Sequence, residues 1–320
     1  MLFKTASEWA SLTIRTGILT LAVLATLITL IADIRAAEVQ IAVLVSNNSQ
    51  PYNETINGFK RQMEKKGVRA EYKMYALEGD PGKAALAVQE IKKSRPDLVF
   101  CAGSLAAEKT LKEITDIPVV SALVIKTEDI RRPNGTGVAL GVPAETQFQW
   151  MRRFLPKAKS IGVVFNPQEN KETVEEAARV AQKMGFKLDA QEVLAPKDLP
   201  AALEKLATSV DVLWGIADNL VLNPQTAKLV LLSSFRNRIP FVGPSAAWTK
   251  AGALYSLDCD YTDMGAQCAE MAQKILQGSP ASSVHPSVPR KIVYSINMKT
   301  AGEMALKIPD ELARNANTTY

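Results

Sequence analysis

The strongest constraint in this sequence is a regular alternation that begins near residue 39. Short apolar, β-branched runs alternate with amphipathic stretches, as where VQIAVLV is followed by NETINGFKRQMEKKG. In the amphipathic stretch, Ile56, Phe59 and Met63 share one helical face, and Gly67 stands where a helix would end. Strands that alternate with helices of about 10–15 residues are typical of βαβ units, so the pattern predicts an α/β fold with parallel sheets.

The alternation runs through the chain twice. Three pairs of segments resemble each other in the same order: IAVLVSNN and IGVVFNPQ, DLVFCAGS and DVLWGIADN, and IPVVSAL and IPFVGPS. The offsets within the pairs are 120, 114 and 122 residues. A repeated order at a nearly constant offset predicts two Rossmann-like lobes of one topology, hinged around a central cleft.

The elements after the second repeat indicate that the chain crosses between the lobes more than once. A strand-like GALYSLDCD is followed by the helical MGAQCAEMAQKILQG, a Pro/Ser-rich segment and the strand-like KIVYSIN. We expect lobe 1 to comprise residues 38–141 and 256–283, and lobe 2 to comprise residues 142–255 and 284–320. Ligands of such folds bind outside the carboxyl ends of the parallel strands, which places the predicted site between the lobes.

Residues 1–37 differ from the rest of the chain. Lys4 and Arg15 precede 17 uncharged, mostly apolar residues, and the small residues Ala36 and Ala37 follow. A basic start, an apolar core and small residues are typical of an export signal, although the core is also near the length of a spanning helix. We expect a cleaved signal peptide or a retained N-terminal membrane anchor, and in both cases a periplasmic or otherwise extracytoplasmic body.

Composition and motifs exclude several classes of function. The net charge of +5 is spread along 320 residues, and aromatic residues do not interleave with basic ones, so nucleic-acid binding is not expected. The single histidine, His285, lies in a Pro/Ser-rich segment, and the sequence has neither a P-loop nor a metal-ligand spacing. We therefore expect no catalytic residues, no metal and no cofactor, which argues against an enzyme.

The three cysteines cannot all pair within one chain. Cys101 ends an apolar strand and is interpreted as a small core residue. For Cys259 and Cys268, two buried thiols and a disulfide bridge are both open.

In the first lobe, hydroxyl and amide side chains follow or end the predicted strands. Ser46 and Asn47 follow the first strand, Ser104 opens the helix after VFCAG, and Ser121 lies in PVVSA. Hydroxyls and the N–H groups at a helix N-terminus suit an anion such as a carboxylate. For Ser104 the alternative is a helix cap, and the two roles are compatible.

In the second lobe, the corresponding positions carry acids and amides. Asn166 and Glu169 follow IGVVF, and Asp218 and Asn219 follow LWGIA. The carboxylates suit a cation, so a cleft between the lobes would have opposite poles and would suit a zwitterion such as an α-amino acid. The alternatives are structural: Glu169 as an acid in a first helical turn, and Asp218 as the N-cap of a helix around Leu220.

Four aromatic residues near these strand ends are candidates for the apolar walls of the cleft. They are Tyr52, Phe165, Trp214 and Trp248. Phe165 and Trp214 fall inside predicted strands, where a core position is the simpler interpretation, whereas Tyr52 and Trp248 fall in predicted loops.

Nearly all of the chain from Val39 to Ala313 resembles one known family. The resembling segments include PDLVFCAGSLAAEKTL, FLPKAKSIGVVFNPQE, VDVLWGIADN and GALYSLDCDYTDMGAQCAEMAQKILQG. They are similar to segments of ABC transporter substrate-binding proteins of the tryptophan/tyrosine type, a branch of the type I periplasmic-binding-protein fold. The resemblance implies capture of a small solute, often an aromatic amino acid, and its delivery to a membrane permease.

By matching position, the resemblance places Ser104 at the carboxylate of a bound amino acid. It places Glu169 and Asp218 at the ammonium group, with Asn219 in support. The first-lobe contacts depart from the family pattern: SNNSQPYNE lacks its His-Pro and Asp, and LVIKTED replaces a segment that commonly contains Asp-Pro. In the second lobe, NKE follows Glu169 where the family has a small residue, Asn and Ser.

These observations lead to one expected function and one alternative. We expect an extracytoplasmic solute-binding protein of an ABC importer, which closes as a monomer around a small zwitterionic solute such as an aromatic amino acid. Its expected partners are that solute and an ABC permease in the membrane. The alternative is a membrane-anchored sensory or accessory interaction module with the same fold and an altered pocket.

Overall fold

The computed structural model describes residues 38–320, and the strands of this part form two separate sheets. The predicted signal peptide or anchor at residues 1–37 lies outside the described residues. The strands of the first sheet are β1 (Val39–Val45), β2 (Ala70–Ala76), β3 (Leu98–Ala102), β4 (Val119–Val124) and β5 (Gly135–Ala139). They lie in the order β2-β1-β3-β4-β5, and every neighbouring pair is parallel.

The second sheet repeats this arrangement and extends it. Its strands are β6 (Ser160–Phe165), β7 (Lys187–Glu192), β8 (Val212–Trp214), β9 (Phe241–Gly243), β10 (Tyr255–Cys259), β11 (Ile292–Ile296) and β12 (Thr318–Thr319). They lie in the order β12-β11-β10-β9-β8-β6-β7, and β11 runs antiparallel to β10. The run β7-β6-β8-β9-β10 matches β2-β1-β3-β4-β5 of the first sheet, as the repeated segments predict.

Helices cover both faces of each sheet. In chain order they are α1 (Gln50–Lys65), α2 (Pro81–Ser94), α3 (Ser104–Glu113), α4 (Thr127–Ile130), α5 (Ala144–Phe154), α6 (Pro167–Lys183), α7 (Leu199–Leu206), α8 (Ala227–Asn237), α9 (Ala246–Ala251), α10 (Tyr261–Leu276), α11 (Met298–Glu303) and α12 (Asp310–Arg314). In the first lobe, α1 and α10 pack on one face and α2 and α3 on the other. In the second lobe, α5 and α6 pack on one face and α7 and α8 on the other. The predicted α/β fold with two Rossmann-like lobes is confirmed.

None of the helices within residues 38–320 is long and apolar enough to cross a membrane.

The chain passes between the lobes three times. Residues 140–143 join β5 to α5, Asp260 alone joins β10 to α10, and residues 284–291 lead back to β11. The first two links are short and leave from the carboxyl ends of strands. They therefore bring the carboxyl edges of the two sheets near each other, which is where the sequence predicts the cleft.

Two details of the predicted lobe boundaries differ from the strand pairing. β10 pairs with β9 and β11, so residues 256–259 belong to the second sheet rather than to lobe 1. On the return, Ser287 still forms a bridge with Val138 of the first sheet, a few residues beyond the expected boundary at 284. β10 pairs with β11 along its whole length, so the chain leaves the second sheet only after Cys259. No residue in the sequence indicates where this crossing begins.

Close contact between α1 and α10 fixes the second link to the first lobe. A Cβ on Gly58 would lie 2.1 Å from the carbonyl oxygen of Thr262, and one on Gly265 would lie 1.9 Å from that of Thr55. These distances are far below van der Waals contact, so both positions require glycine. α10 therefore enters from the second sheet and is held directly against the backbone of α1.

The three cysteines are free and buried. Desolvation raises the pKa of Cys101, Cys259 and Cys268 to about 12 in each case. The structure thus has two buried thiols at Cys259 and Cys268, and not a disulfide bridge.

Candidate functional site

The N-terminus of α3 lies at the carboxyl edge of the first sheet and is capped from another strand. Gly103 occupies the cap position and Ser104 is the first helical residue. Ser46, which directly follows β1, is buried, and its Oγ accepts a hydrogen bond of 3.0 Å from the backbone N–H of Ala106. Because Gly103 has no side chain, Ser46 supplies the oxygen that a helix cap normally provides.

Gly103 lets the chain pass beneath the ring of Tyr52. Its φ is +99°, and a Cβ at this position would lie 2.6 Å from Ser46 Oγ and 2.9 Å from Tyr52 Cε1. Tyr52 is partly buried against the first-lobe core, and this burial raises the pKa of its hydroxyl. Ser104 is exposed at the same edge and is not the helix cap, so its hydroxyl faces solvent.

Asn47 and Ser121 have different positions from Ser104. Asn47 is exposed beside Ser46, and its Oδ1 accepts a hydrogen bond of 2.7 Å from the N–H of Asn48. Ser121 lies inside β4, is fully buried, and its Oγ has no hydrogen-bond partner within residues 38–320. Its position inside the sheet, rather than at the strand end, keeps Ser121 away from the exposed edge where the other first-lobe candidates lie.

Asp218 is buried at the carboxyl edge of the second sheet, where it binds two segments of backbone. Its Oδ1 accepts hydrogen bonds from the N–H groups of Leu220 and Val221, at 3.0 and 2.9 Å. Its Oδ2 accepts from the N–H of Asn166 at 2.7 Å and from Asn170 Nδ2 at 2.9 Å. The residues after Asp218 form successive turns instead of the expected helix around Leu220, and Asp218 caps the first of these turns.

Glu169 lies beside Asp218 but is exposed. Its Oε2 accepts hydrogen bonds from the backbone N–H and the side-chain Nδ2 of Asn219, at 3.1 and 3.2 Å. Its Oε1 accepts one longer bond, 3.3 Å, from Asn166 Nδ2. Asn166 is itself the N-cap of α6, since its Oδ1 accepts from the N–H of Gln168.

The two carboxylates differ in what they can still bind. A carboxylate has about four acceptor positions. The four hydrogen bonds to Asp218 fill them, whereas the three to Glu169 leave one open on Oε1. Glu169 is therefore an oriented and solvent-accessible acceptor, and Asp218 is a buried clamp that holds the loops on which Asn166 and Asn219 stand.

Three of the four aromatic candidates belong to the second-lobe core. Phe165 and Trp214 are 4% and 3% exposed, and the Trp214 indole N–H donates to Gln147 Oε1 over 2.6 Å. Trp248 packs edge-on against Phe241, with ring centroids 5.7 Å apart. Tyr52 is the aromatic candidate that the structure places at the carboxyl edge of a sheet, over Gly103.

Sequence reasoning did not assign a role to Asn170. Its Nδ2 donates to Asp218 Oδ2 and to the carbonyl oxygen of Ala217, which ties the start of α6 to the segment after β8. The sequence feature that could have indicated this role is the departure from the family pattern directly after Glu169.

Within residues 38–320, no group of three or more His, Cys, Asp or Glu side chains is placed to hold a metal ion.

Comparison with known proteins assigns this architecture to a family. A family model described as ABC transporter substrate binding protein matches residues 38–320. The chain belongs to the ABC transporter substrate-binding protein family. The family is one of substrate-binding proteins and not of enzymes, as the sequence predicted.

One curated relative and two solved structures illustrate the similarity. The chain is 22% identical over 200 residues to a tyrosine-binding protein of Clostridioides difficile (strain R20291); the match covers 59% of this chain and 57% of that protein, less than two thirds of its length. It is 22% identical to the ABC domain from Streptococcus pneumonia in complex with L-Trp, with a TM-score of 0.60 and coverage of 89% and 100% of the two chains. It is also 22% identical to a ligand-free, open substrate-binding protein with adhesive properties from Clostridium difficile, with a TM-score of 0.76 and coverage of 87% and 98%.

Proposed function

We propose that this substrate-binding protein captures a zwitterionic amino acid outside the cytoplasm and delivers it to the permease of an ABC importer. The observation that carries the proposal is Glu169, an exposed carboxylate at the edge of the second sheet. Hydrogen bonds from Asn219 and Asn166 orient it, and no Lys, Arg or His within residues 38–320 forms a salt bridge with it. An oriented carboxylate without a cationic partner suits the ammonium group of a ligand.

The first lobe supplies the complementary end. The N–H groups at the start of α3 carry the positive end of the helix dipole, and the exposed hydroxyl of Ser104 stands beside them. A ligand carboxylate would bind there and its ammonium group at Glu169. Asp218 supports this site from below instead of contacting the ligand, because its acceptor positions are filled.

The relatives support this class of ligand. One relative is a tyrosine-binding protein and one solved structure contains L-Trp, so an aromatic amino acid is the first ligand to test. At equal identity, the chain superposes better on the ligand-free, open structure than on the L-Trp complex. We infer that the structure represents the open state and that a hinge motion closes the lobes on the solute.

Calorimetry with matched ligands tests the two charged contacts separately. L-tyrosine and L-tryptophan are compared with tyramine, which lacks the carboxylate, and with N-acetyl-L-tyrosine, which lacks the ammonium group. We expect each analogue to bind at least about thirtyfold more weakly than L-tyrosine, because a charged partner is left without its counterpart in the closed cleft. Equal affinity of tyramine and L-tyrosine would exclude the carboxylate contact at α3.

A pair of variants tests the assignment of Glu169. Glu169→Gln retains the size and an acceptor oxygen but removes the charge, whereas Glu172→Gln changes an exposed glutamate three residues along the same helix. Only Glu169→Gln should weaken L-tyrosine binding. The alternative role, a sensory or accessory module with an altered pocket, predicts no saturable binding of any amino acid to the unmodified protein.

A further inference from the structure

One large aliphatic side chain stands exposed where β4 ends. Ile125 directly follows β4 and is 66% exposed, while all six residues of the strand itself are buried. Exposed aliphatic side chains are common on protein surfaces and need no explanation by themselves. Ile125 differs because it lies at the carboxyl edge of the central part of the sheet, next to the strand that leads to Gly103.

A β-bulge at Leu123 sets the direction of Ile125. The register between β4 and β5 shifts between Ala122 and Val124, and Leu123 has a φ of +59°, a conformation that residues other than glycine rarely adopt. Bulges of this kind redirect the side chains that follow them. They are frequent beside functional sites, where a strained backbone is retained.

The packing of β4 shows which way the side chains are redirected. Val120 and Ala122 pack in the core under α1 and α10, and Leu123 joins this same core. Val124 packs in the opposite core, under α2 and α3. Without the bulge, strict alternation would put Val124 with Ala122 and Ile125 on the opposite face. With it, continuing the alternation by one residue brings Ile125 to the face that carries α1.

Tyr52 lies on that same face. It belongs to α1, packs against the core under α1 and α10, and rests on Gly103 at the end of β3. β3 and β4 are neighbours, and neighbouring strands are about 4.8 Å apart. The carbonyl oxygen of Ile125 would lie 3.2 Å from a Cβ on Gly141, within the first link between the lobes. Ile125 thus lies between Tyr52 and the hinge.

We propose that Ile125 is the specificity-determining residue for the side chain of the solute, and that it selects an apolar side chain, aliphatic or aromatic, over a polar one. This inference rests on the proposed function, since it concerns the same cleft. Closure would transfer the exposed Ile125 from water into contact with the ligand side chain. The apolar surface buried there rewards an apolar ligand and penalises one that brings an unpaired polar group.

The test compares ligands that share the α-amino and carboxyl groups and differ in the side chain. Dissociation constants for L-tyrosine, L-leucine and L-alanine are measured by calorimetry, or by competition where binding is weak. The variants are Ile125→Val, which retains a branched apolar side chain, and Ile125→Ser. Leu86→Ala is the control, since Leu86 is 69% exposed on α2, under the opposite face of the sheet.

We expect Ile125→Ser to weaken binding of L-tyrosine and L-leucine about tenfold and binding of L-alanine less than about twofold. Ile125→Val should retain most of the preference for L-tyrosine and L-leucine over L-alanine, and Leu86→Ala should leave all three dissociation constants unchanged. An equal loss for all three ligands, or no loss for any, would overturn the role of Ile125 while leaving the proposed function in place. If none of the three binds the unmodified protein, the proposed function fails and this inference fails with it.

Discussion

Glu169 and Asn219 are joined twice: the backbone N–H and the side-chain amide of Asn219 both donate to Oε2 of Glu169, at 3.1 and 3.2 Å. The pair links the start of α6 to the turn after β8, two segments that are 50 residues apart in the sequence. One oxygen of the carboxylate is thereby fixed, and the other, which accepts one bond from Asn166, keeps an open acceptor position. The geometry of the acidic side of the cleft therefore depends on Asn219 as well as on Glu169.

Asn219→Ala should weaken the binding of an amino-acid ligand without unfolding the protein. The variant removes one of the two bonds that Asn219 donates to Glu169 and retains the other, from the backbone N–H. We expect a loss of affinity of about fivefold, as for one hydrogen bond of about 1 kcal/mol. Calorimetry on Asn219→Ala and on Asn237→Ala, an exposed asparagine bonded within α8, provides the measurement and its control. Equal affinities in the two variants would show that Glu169 does not need Asn219.

Asp218→Ala should destabilise the second lobe by about 3 kcal/mol. The change leaves four buried or partly buried donors without their acceptor, and such groups are costly to leave unpaired. Urea unfolding gives the free energy of unfolding. Asp211→Ala is the matched control, because one oxygen of Asp211 accepts three hydrogen bonds at the opposite edge of the sheet but the residue is exposed. A stable Asp218→Ala protein that has lost only ligand binding would return Asp218 to the role of a ligand contact.

The fold could be predicted from the sequence because strands and helices each require a regular spacing of apolar residues. The spacing of apolar residues defines strands and helices, and the repeated order of segments defines two lobes with matching strand order. The placement of most candidate site residues followed as well, since it depends on where the strands end. Ser104, Asn166, Glu169, Asp218 and Asn219 do stand at carboxyl edges, as predicted.

The roles of individual residues could not be predicted in the same way. Asp218 and Glu169 are both acids that follow a strand. Only the number of hydrogen-bond donors around each shows that Asp218 is fully used within the protein and that Glu169 can accept one more bond. The sequence places Ser121 near a strand end, but β4 continues to Val124, so Ser121 is buried inside the strand. The bulge that redirects Ile125 could not be predicted, because a positive φ is usually a sign of glycine and here the residue is Leu123.

Gly265→Ala should destabilise the first lobe by about 3 kcal/mol or prevent folding. The added Cβ would overlap the carbonyl oxygen of Thr55, which is backbone and cannot rotate away, so α10 would have to move from α1. Gly302→Ala is the control: this glycine lies in α11 with nothing within 4 Å of the added Cβ, and alanine there should stabilise by about 0.5–1 kcal/mol. Thermal unfolding should show a lower melting temperature for Gly265→Ala and a higher one for Gly302→Ala. Equal effects would show that the helix contact is looser than the structure indicates.

Stability should fall with pH between about 9 and 12 in part because of the buried thiols. Burial raises the pKa of Cys101 to about 12, whereas a thiol in the unfolded chain ionises near 8.5. Above that lower value the unfolded state binds fewer protons than the folded state, so unfolding becomes more favourable by up to about 1.4 kcal/mol per pH unit for each thiol. Urea unfolding of the reduced protein at a series of pH values measures the slope. Cys101→Ala should have a shallower slope than the unmodified protein, and an unchanged slope would contradict the burial of this thiol.

Arg290 binds the third link between the lobes to α10. Its guanidinium donates to both carboxylate oxygens of Asp263, at 2.9 and 3.0 Å, and to both oxygens of Glu270, at 2.8 and 3.2 Å. These carboxylates raise the pKa of Arg290 further above its usual range, so the side chain stays charged. Lys291 then binds Asp260 of the second link, over 2.5 Å. The two links are thus joined to each other and to the first lobe.

Arg290→Lys should loosen this part of the hinge while changing global stability by less than about 1 kcal/mol. Lysine retains the charge but cannot form two bidentate contacts, and exposed ion pairs add little to global stability. Hydrogen exchange should therefore become faster at the amides of residues 287–291 and stay unchanged in β1 and β6. Arg95→Lys, which alters an exposed pair with Asp116 far from the links, is the control. Unchanged exchange at residues 287–291 would mean that Gln267, which bonds to Ser287 and Val288, holds the link by itself.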